Sequence, residues 1–342
     1  MESLENIQPV VRNSNNFQSP SEIIDKKFQI VNKIGLIYAI GVAIIFQIGD
    51  IYYNIFYKYF NNFSKNYKSD LSLIIALISI HLSGTPLIFL LTKVVKKTEI
   101  KRTKYGCKKY FATYFIKSAL SLSVGIIVVI IESLYSLIFK KKVNKTIFKL
   151  LLNEKKNVLA ESNIFLSFFV VCFTGPIAEE FIFRKFLMDR LVLYSKTLSI
   201  FSSGIMFGIF HSNFKQLFPA TFSGWVLAYS YAETGNILIP ISYHIFWNTS
   251  LNIVTSLAYL DDKNPLLAFI TVLALIKLIG ALIGIILLIK YRKKIKISGE
   301  ENNSKDKWKF FQSYGMWIYI LEGFMLFSIF YTNKLVLPDI FL

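Results

Sequence analysis

Two adjacent carboxylates, a guanidinium, two imidazoles and a carboxamide stand at one-turn spacings inside runs that are otherwise apolar. The motifs are Glu179-Glu180-x-x-x-Arg184, Phe207-x-x-x-His211 and His244-x-x-x-Asn248. The chain has 3 histidines, and two of them fall in these motifs. Ionisable side chains at membrane depth are costly, so by default they mark a functional site. The set suits water-dependent acid/base chemistry. A carboxylate held out of bulk water is a better proton acceptor and can activate water. An imidazole can share or orient that water, and side-chain N–H groups can stabilise a developing oxyanion.

Helical spacing divides the labour. Glu180 and Arg184 are four residues apart on one helix face and can pair, which lowers the desolvation cost of both. Glu179 points roughly 100° away. Glu180 is therefore read as mainly structural and Glu179 as mainly chemical, with His211 sharing or orienting the water. His244 and Asn248, one turn apart, are read as oxyanion donors. Phe207, one turn before His211, is read as packing that keeps the pocket dry.

The elements that must position these groups are long apolar runs. The chain has 342 residues, 54 % of them hydrophobic. Stretches of about 20 or more apolar residues are long enough to cross a bilayer as helices. The expected fold is all-α, a polytopic transmembrane bundle of eight or nine spans. The spans are placed near 34–59, 71–95, 111–139, 162–191, 196–212, 217–233, 236–259 and 266–291, with a ninth run at 314–333. Residues 1–33 read as a polar flexible tail leading into a signal anchor rather than a cleavable signal. Residues 34–160 hold N-terminal spans and an amphipathic stretch, 143–160, that either lies along the headgroup plane or forms a solvated linker. Residues 161–256 form the core that carries the motifs, and 257–342 the C-terminal spans. Gly175-Pro176 should break or kink the fourth span just before the Glu pair. No fixed-period repeat is present.

Depth brings the motifs together. Glu179 and Glu180 precede the turn near 192–195 by roughly 18–20 Å of helix, and His211 follows it by roughly 24 Å. His244 and Asn248 lie roughly 13 and 19 Å beyond the turn near Gly235. All could meet in one buried layer.

The formal charge of +18 does not indicate nucleic acid, because Lys and Arg sit mainly in loops between apolar runs. There they set topology and meet anionic headgroups. Positive-inside counting puts a cytoplasmic N-terminus on the same side as 96–109, 184–196 and 290–309. The basic stretch 140–156 conflicts with it. The abundance of Ile, Lys, Asn, Phe and Tyr looks bacterial, which gives a plasma-membrane location.

The three motifs, in this order on successive apolar helices, resemble the CAAX-protease and bacteriocin-processing (CPBP, or Abi) family over roughly 161–256. That resemblance implies a fold of about eight spans and peptide-bond hydrolysis by a Glu-activated water, without metal or other cofactor. By the same analogy Glu179 is the base, His211 its partner, and His244 with Asn248 the oxyanion site. The partners expected are the bilayer, a membrane-associated or lipidated peptide or protein substrate, and a further membrane protein.

Other readings stand beside this one. The Glu179/Glu180/Arg184 cluster could be a buried ion network, and the histidines satisfied core residues. Glu179, His211 and His244 have metal-ligand chemistry, although no H-E-x-x-H pair is present. A non-catalytic scaffold or immunity protein would keep the same fold. A transporter would use the acids as a proton relay, but no pair of broken helices repeats in two halves. His81, near Gly84 and Pro86, reads as capping a kink or lining a lumen. Glu132, Glu233 and Glu322 read as interfacial or helix-end residues.

Overall fold

The computed structural model describes residues 20–60, 65–138, 162–212, 214–257, 266–291 and 308–331. Among these residues every regular element is helical. The long helices are α1 (Pro20–Phe60), α2 (65–92), α3 (Cys107–Ile138), α4 (Ile164–Leu191), α5 (Lys196–Phe210), α6 (Phe214–Thr234), α7 (Leu238–Leu257), α8 (Leu266–Tyr291) and α9 (Tyr314–Tyr331). The short turn Lys309–Gln312 precedes α9. The helices cover the apolar runs read from the sequence. Among the described residues, three stretches are long and apolar enough to cross a membrane: Phe28–Phe56, Tyr67–Thr92 and Ile164–Leu191. The amphipathic stretch at 143–160 lies outside the described residues.

Two expectations are corrected. The first helix begins at Pro20, inside the stretch read as a flexible tail. Val31, inside the same stretch, and Ile34, just after it, are fully buried. Of the break or kink expected at Gly175-Pro176, the fourth span shows no break. It changes register instead, with π-helical segments at Phe168–Thr174 and Phe181–Met188 around the α-helical turn Gly175–Glu180. The Gly175 N–H reaches the Val170 carbonyl, an i→i+5 bond. Proline has no N–H to give, and a widened turn absorbs that loss without ending the helix.

The bundle is apolar outside and mixed inside. On α8, Val272, Ile276, Ile279, Leu282, Ile286 and Ile289 are exposed, a belt suited to lipid. The interior holds Ile34, Phe46, Phe183, Phe207, Phe210 and Met316. Two buried hydroxyls tie the outer helices to the centre. Tyr38 of α1 donates to the Ile182 carbonyl at 2.5 Å, and Tyr319 of α9 donates to the Met206 carbonyl at 2.8 Å. Helices α5 and α6 form a close antiparallel hairpin. Any Cβ on Gly208 would press on the Thr221 hydroxyl and lie 2.6 Å from the Leu217 carbonyl, so only glycine fits. Small residues permit such close crossings within membranes. This hairpin sets the position of Phe207 and His211.

One end of the bundle is closed by the basic loop after α2. Thr98 N–H donates to the Asp189 carbonyl at 2.6 Å, and Thr103 N–H to the Thr234 carbonyl at 2.9 Å. The Lys309 ammonium lies 5.6 Å from the Phe28 ring centre. The start of α1, the 93–106 loop, the 192–195 turn and Gly235 therefore share one end. At the opposite end, Asp70 of α2 accepts from the Asn163 N–H at 2.5 Å.

Candidate active site

The Glu pair lies in the middle of α4, at the end of the α-helical turn between the two π-helical segments. Glu180 is fully buried and bridges two cations or potential cations. Its Oε2 is 2.8 Å from Arg184 Nε, and its Oε1 is 2.9 Å from His244 Nδ1. Arg184 extends the chain by donating to Ser203 Oγ at 3.1 Å, and Ser203 donates to the Phe183 carbonyl at 3.0 Å. One polar thread thus runs from α7 through α4 to α5. Charges at this depth persist when paired and hydrogen-bonded.

Glu179 faces a different direction. Its side chain retains 16 % of its exposure, against 0 % for Glu180. Its Oε2 stands 3.7 Å from His244 Nε2, longer than a direct hydrogen bond. The two carboxylates therefore address the two nitrogens of one imidazole. In neutral His244, a proton on Nδ1 is the one Glu180 can accept. That tautomer leaves the Nε2 lone pair towards Glu179.

Phe207 sits among the polar groups. Its ring centre is 4.8 Å from that of His211, 5.6 Å from that of His244 and 5.0 Å from the Arg184 guanidinium. Its ring packs against all three groups and is a cation–π surface for Arg184. His211 caps the end of α5, and its Nδ1 is 2.8 Å from the Phe207 carbonyl. No hydrogen bond or ion pair joins His211 to Glu179, so the imidazole that faces this carboxylate is that of His244.

Asn248, one turn after His244, donates from Nδ2 to the Val171 carbonyl at 3.0 Å. The local register explains this bond. Gly175 N–H is committed to Val170, and the next residue is Pro176, so the Val171 carbonyl has no helical donor. Asn248 supplies one N–H and keeps a second. Asn248→Ala should lower stability by about 1–3 kcal/mol through the stranded carbonyl. A thermal melt of the purified variant in detergent checks this, and an unchanged midpoint would show that the bond contributes nothing.

Several groups escaped the sequence reading. Asn252 donates to Ser167 Oγ at 2.9 Å and joins α7 to α4 one turn further along. Ser203 and Tyr38 complete the inner hydrogen bonds. Lys117 of α3 is fully buried, with its ammonium 4.6 Å from the Trp247 ring centre, next to Asn248 in sequence. Its signal was available, since a lysine within an apolar run is itself a marker. Glu322 is not a helix-end residue. It lies mid-way along α9 with both carboxylate oxygens buried. Among the described residues, no three His, Cys, Asp or Glu side chains are grouped as metal ligands would be.

Comparison with known proteins bears on the same stretch. Residues 161–250 match the family model described as "Type II CAAX prenyl endopeptidase Rce1-like". A curated protein of Bacillus subtilis (strain 168), named "Putative membrane peptidase YdiL", is 40 % identical over 87 residues. That alignment covers 25 % of this chain and 35 % of the relative's length. No solved structure matches significantly. The matched residues hold the Glu pair, Arg184, both motif histidines and Asn248 in apolar helices, and over this stretch the integral membrane chain is similar to the CAAX-protease and bacteriocin-processing family.

Proposed function

We propose that the chain is an intramembrane endopeptidase. It hydrolyses a peptide bond in a membrane-associated or lipidated peptide or protein. It crosses a bacterial plasma membrane eight or nine times, with its N-terminus cytoplasmic, and needs no metal. The observation that carries this reading is the division of the Glu pair. One carboxylate is locked between Arg184 and His244, and the other makes no such pair and holds its buried Oε2 towards the second nitrogen of the same imidazole.

The chemistry follows from that arrangement. A water held between Glu179 Oε2 and His244 Nε2 attacks the scissile carbonyl carbon. Its proton passes to Glu179 and then to the leaving amine, so that a carboxylic acid and an amine result. Glu180 holds the His244 ring in place and would stabilise it as imidazolium, the state in which Nε2 could donate to the oxyanion. The second N–H of Asn248 is the other candidate donor. His211 and Phe207 form the wall that excludes bulk water.

The test compares membrane and secreted peptides by N- and C-terminal mass spectrometry. Cells carry wild type or Glu179→Ala at equal protein level. Termini lost only in the variant support proteolysis and nominate substrates. Cleavage by purified protein should also persist in EDTA and 1,10-phenanthroline, and its loss there would point to the metal reading.

A second reading, a non-catalytic scaffold that retains the family fold, draws on a specific observation. His211 and Asn248 both spend a hydrogen bond on a backbone carbonyl. It expects Glu179→Ala and His244→Ala to keep the biological phenotype, with indistinguishable peptide profiles.

A further inference from the structure

The closed end of the bundle contains a cavity of about 500 Å³ that the peptidase reading does not use. It lies between the loop after α2, the 192–195 turn and the end of α6. Its charged lining is Lys101, Lys104, Lys109, Lys196, Glu99 and Glu233. The two acids are already engaged. Glu99 meets Lys97 at 3.2 Å, and the neighbouring ammonium holds its carboxyl below the usual range. Glu233 meets Lys109 at 3.6 Å. The cavity therefore keeps a cationic excess, and it is large enough for a small-molecule ligand.

Its walls are fixed. The bonds from Thr98 to Asp189 and from Thr103 to Thr234 pin the loop to the ends of α4 and α6. The Thr103 hydroxyl adds a 2.6 Å bond to the Glu233 carbonyl. Gly235 turns the chain beneath with φ +60°, and any Cβ there would strike the Ile100 carbonyl. Position gives the ligand's source. Val192 and Lys196 of its lining follow directly on the apolar stretch Ile164–Leu191, and a helix of that length crossing a bilayer would end at the level of lipid headgroups.

We propose that this cavity is a binding site for the phosphate headgroup of an anionic phospholipid. The headgroup would enter from the bilayer plane, with Lys101 and Lys104 contacting the phosphate. This inference does not rest on the peptidase reading, and its test does not use activity.

The test measures thermal stabilisation and bound lipid for the full chain in detergent, titrated with short-chain phosphatidylglycerol, short-chain phosphatidylcholine or inorganic phosphate. Wild type should give a saturable shift with phosphatidylglycerol and little with phosphatidylcholine. Lys101→Gln/Lys104→Gln should weaken phosphatidylglycerol binding about tenfold or more. Both side chains are exposed, so the variant should fold as wild type does. The charge-matched control is Lys93→Gln/Lys96→Gln, in the same loop but outside the cavity, and it should bind as wild type. Equal loss in the control would reduce the effect to diffuse surface charge and overturn the proposal. An equal, saturable response to inorganic phosphate, with no added gain from lipid, would overturn the lipid assignment. Undiminished binding by the Lys101/Lys104 variant would overturn the site.

Discussion

Glu179→Gln in proteoliposomes should cut the turnover of any identified substrate by about 10²- to 10⁴-fold, the usual contribution of a general base. The change keeps the shape of the side chain and removes its capacity to take a proton. Glu179 is the less buried acid and makes no ion pair with Arg184, so thermal stability should stay close to wild type. A fall in kcat with little change in KM is the expected pattern, because the lost interaction acts in the transition state. Undiminished cleavage by the folded variant would remove Glu179 from the mechanism. The neighbouring change, Glu180→Gln, should fail differently, by loosening His244 and lowering the melting temperature.

Arg184→Met carries the second large effect, on stability. Both partners of the Glu180–Arg184 pair are at 0 % exposure. Breaking such a pair by removing one member costs about 3–5 kcal/mol, since the remaining charge stays buried without its counter-ion. His244 still faces Glu180, but a neutral imidazole does not replace a guanidinium. Arg184 also leaves the Phe207 ring and Ser203 Oγ, so of the polar link between α5 and α4 only the Ser203 bond to the Phe183 carbonyl remains. The double variant Glu180→Gln/Arg184→Met should recover much of the loss, because it leaves no uncompensated charge. Thermal melts followed by size exclusion in detergent read both. A single variant as stable as wild type would show that the pair does not hold the bundle together.

Much of this architecture is legible from one-turn spacings and apolar runs. The depth of each motif along its helix brings Glu179, Glu180, Phe207, His244 and Asn248 into one neighbourhood. The four-residue step predicts the Glu180–Arg184 pair. What escaped depends on information that spacing does not carry. The partner of Glu179 turns on side-chain direction at the end of α5, where His211 bonds the Phe207 carbonyl. Asn248 faces Val171 only because a register change and a proline together free that carbonyl. The Tyr38 hydrogen bond joins residues 144 apart in sequence, beyond any local pattern. The start of α1 was hidden because the residues before Val31 are largely polar in the sequence and give no apolar run.

The two widened segments of α4 also bear on how such a site could change. A π-helical turn is equivalent to one residue inserted into an α-helix. The acids are therefore phased against α7 by a local insertion, and one residue corresponds to roughly 100° of rotation. Because the acids are neighbours, a slip of one residue would not empty the site. It would bring Glu180 to the place where Glu179 now stands.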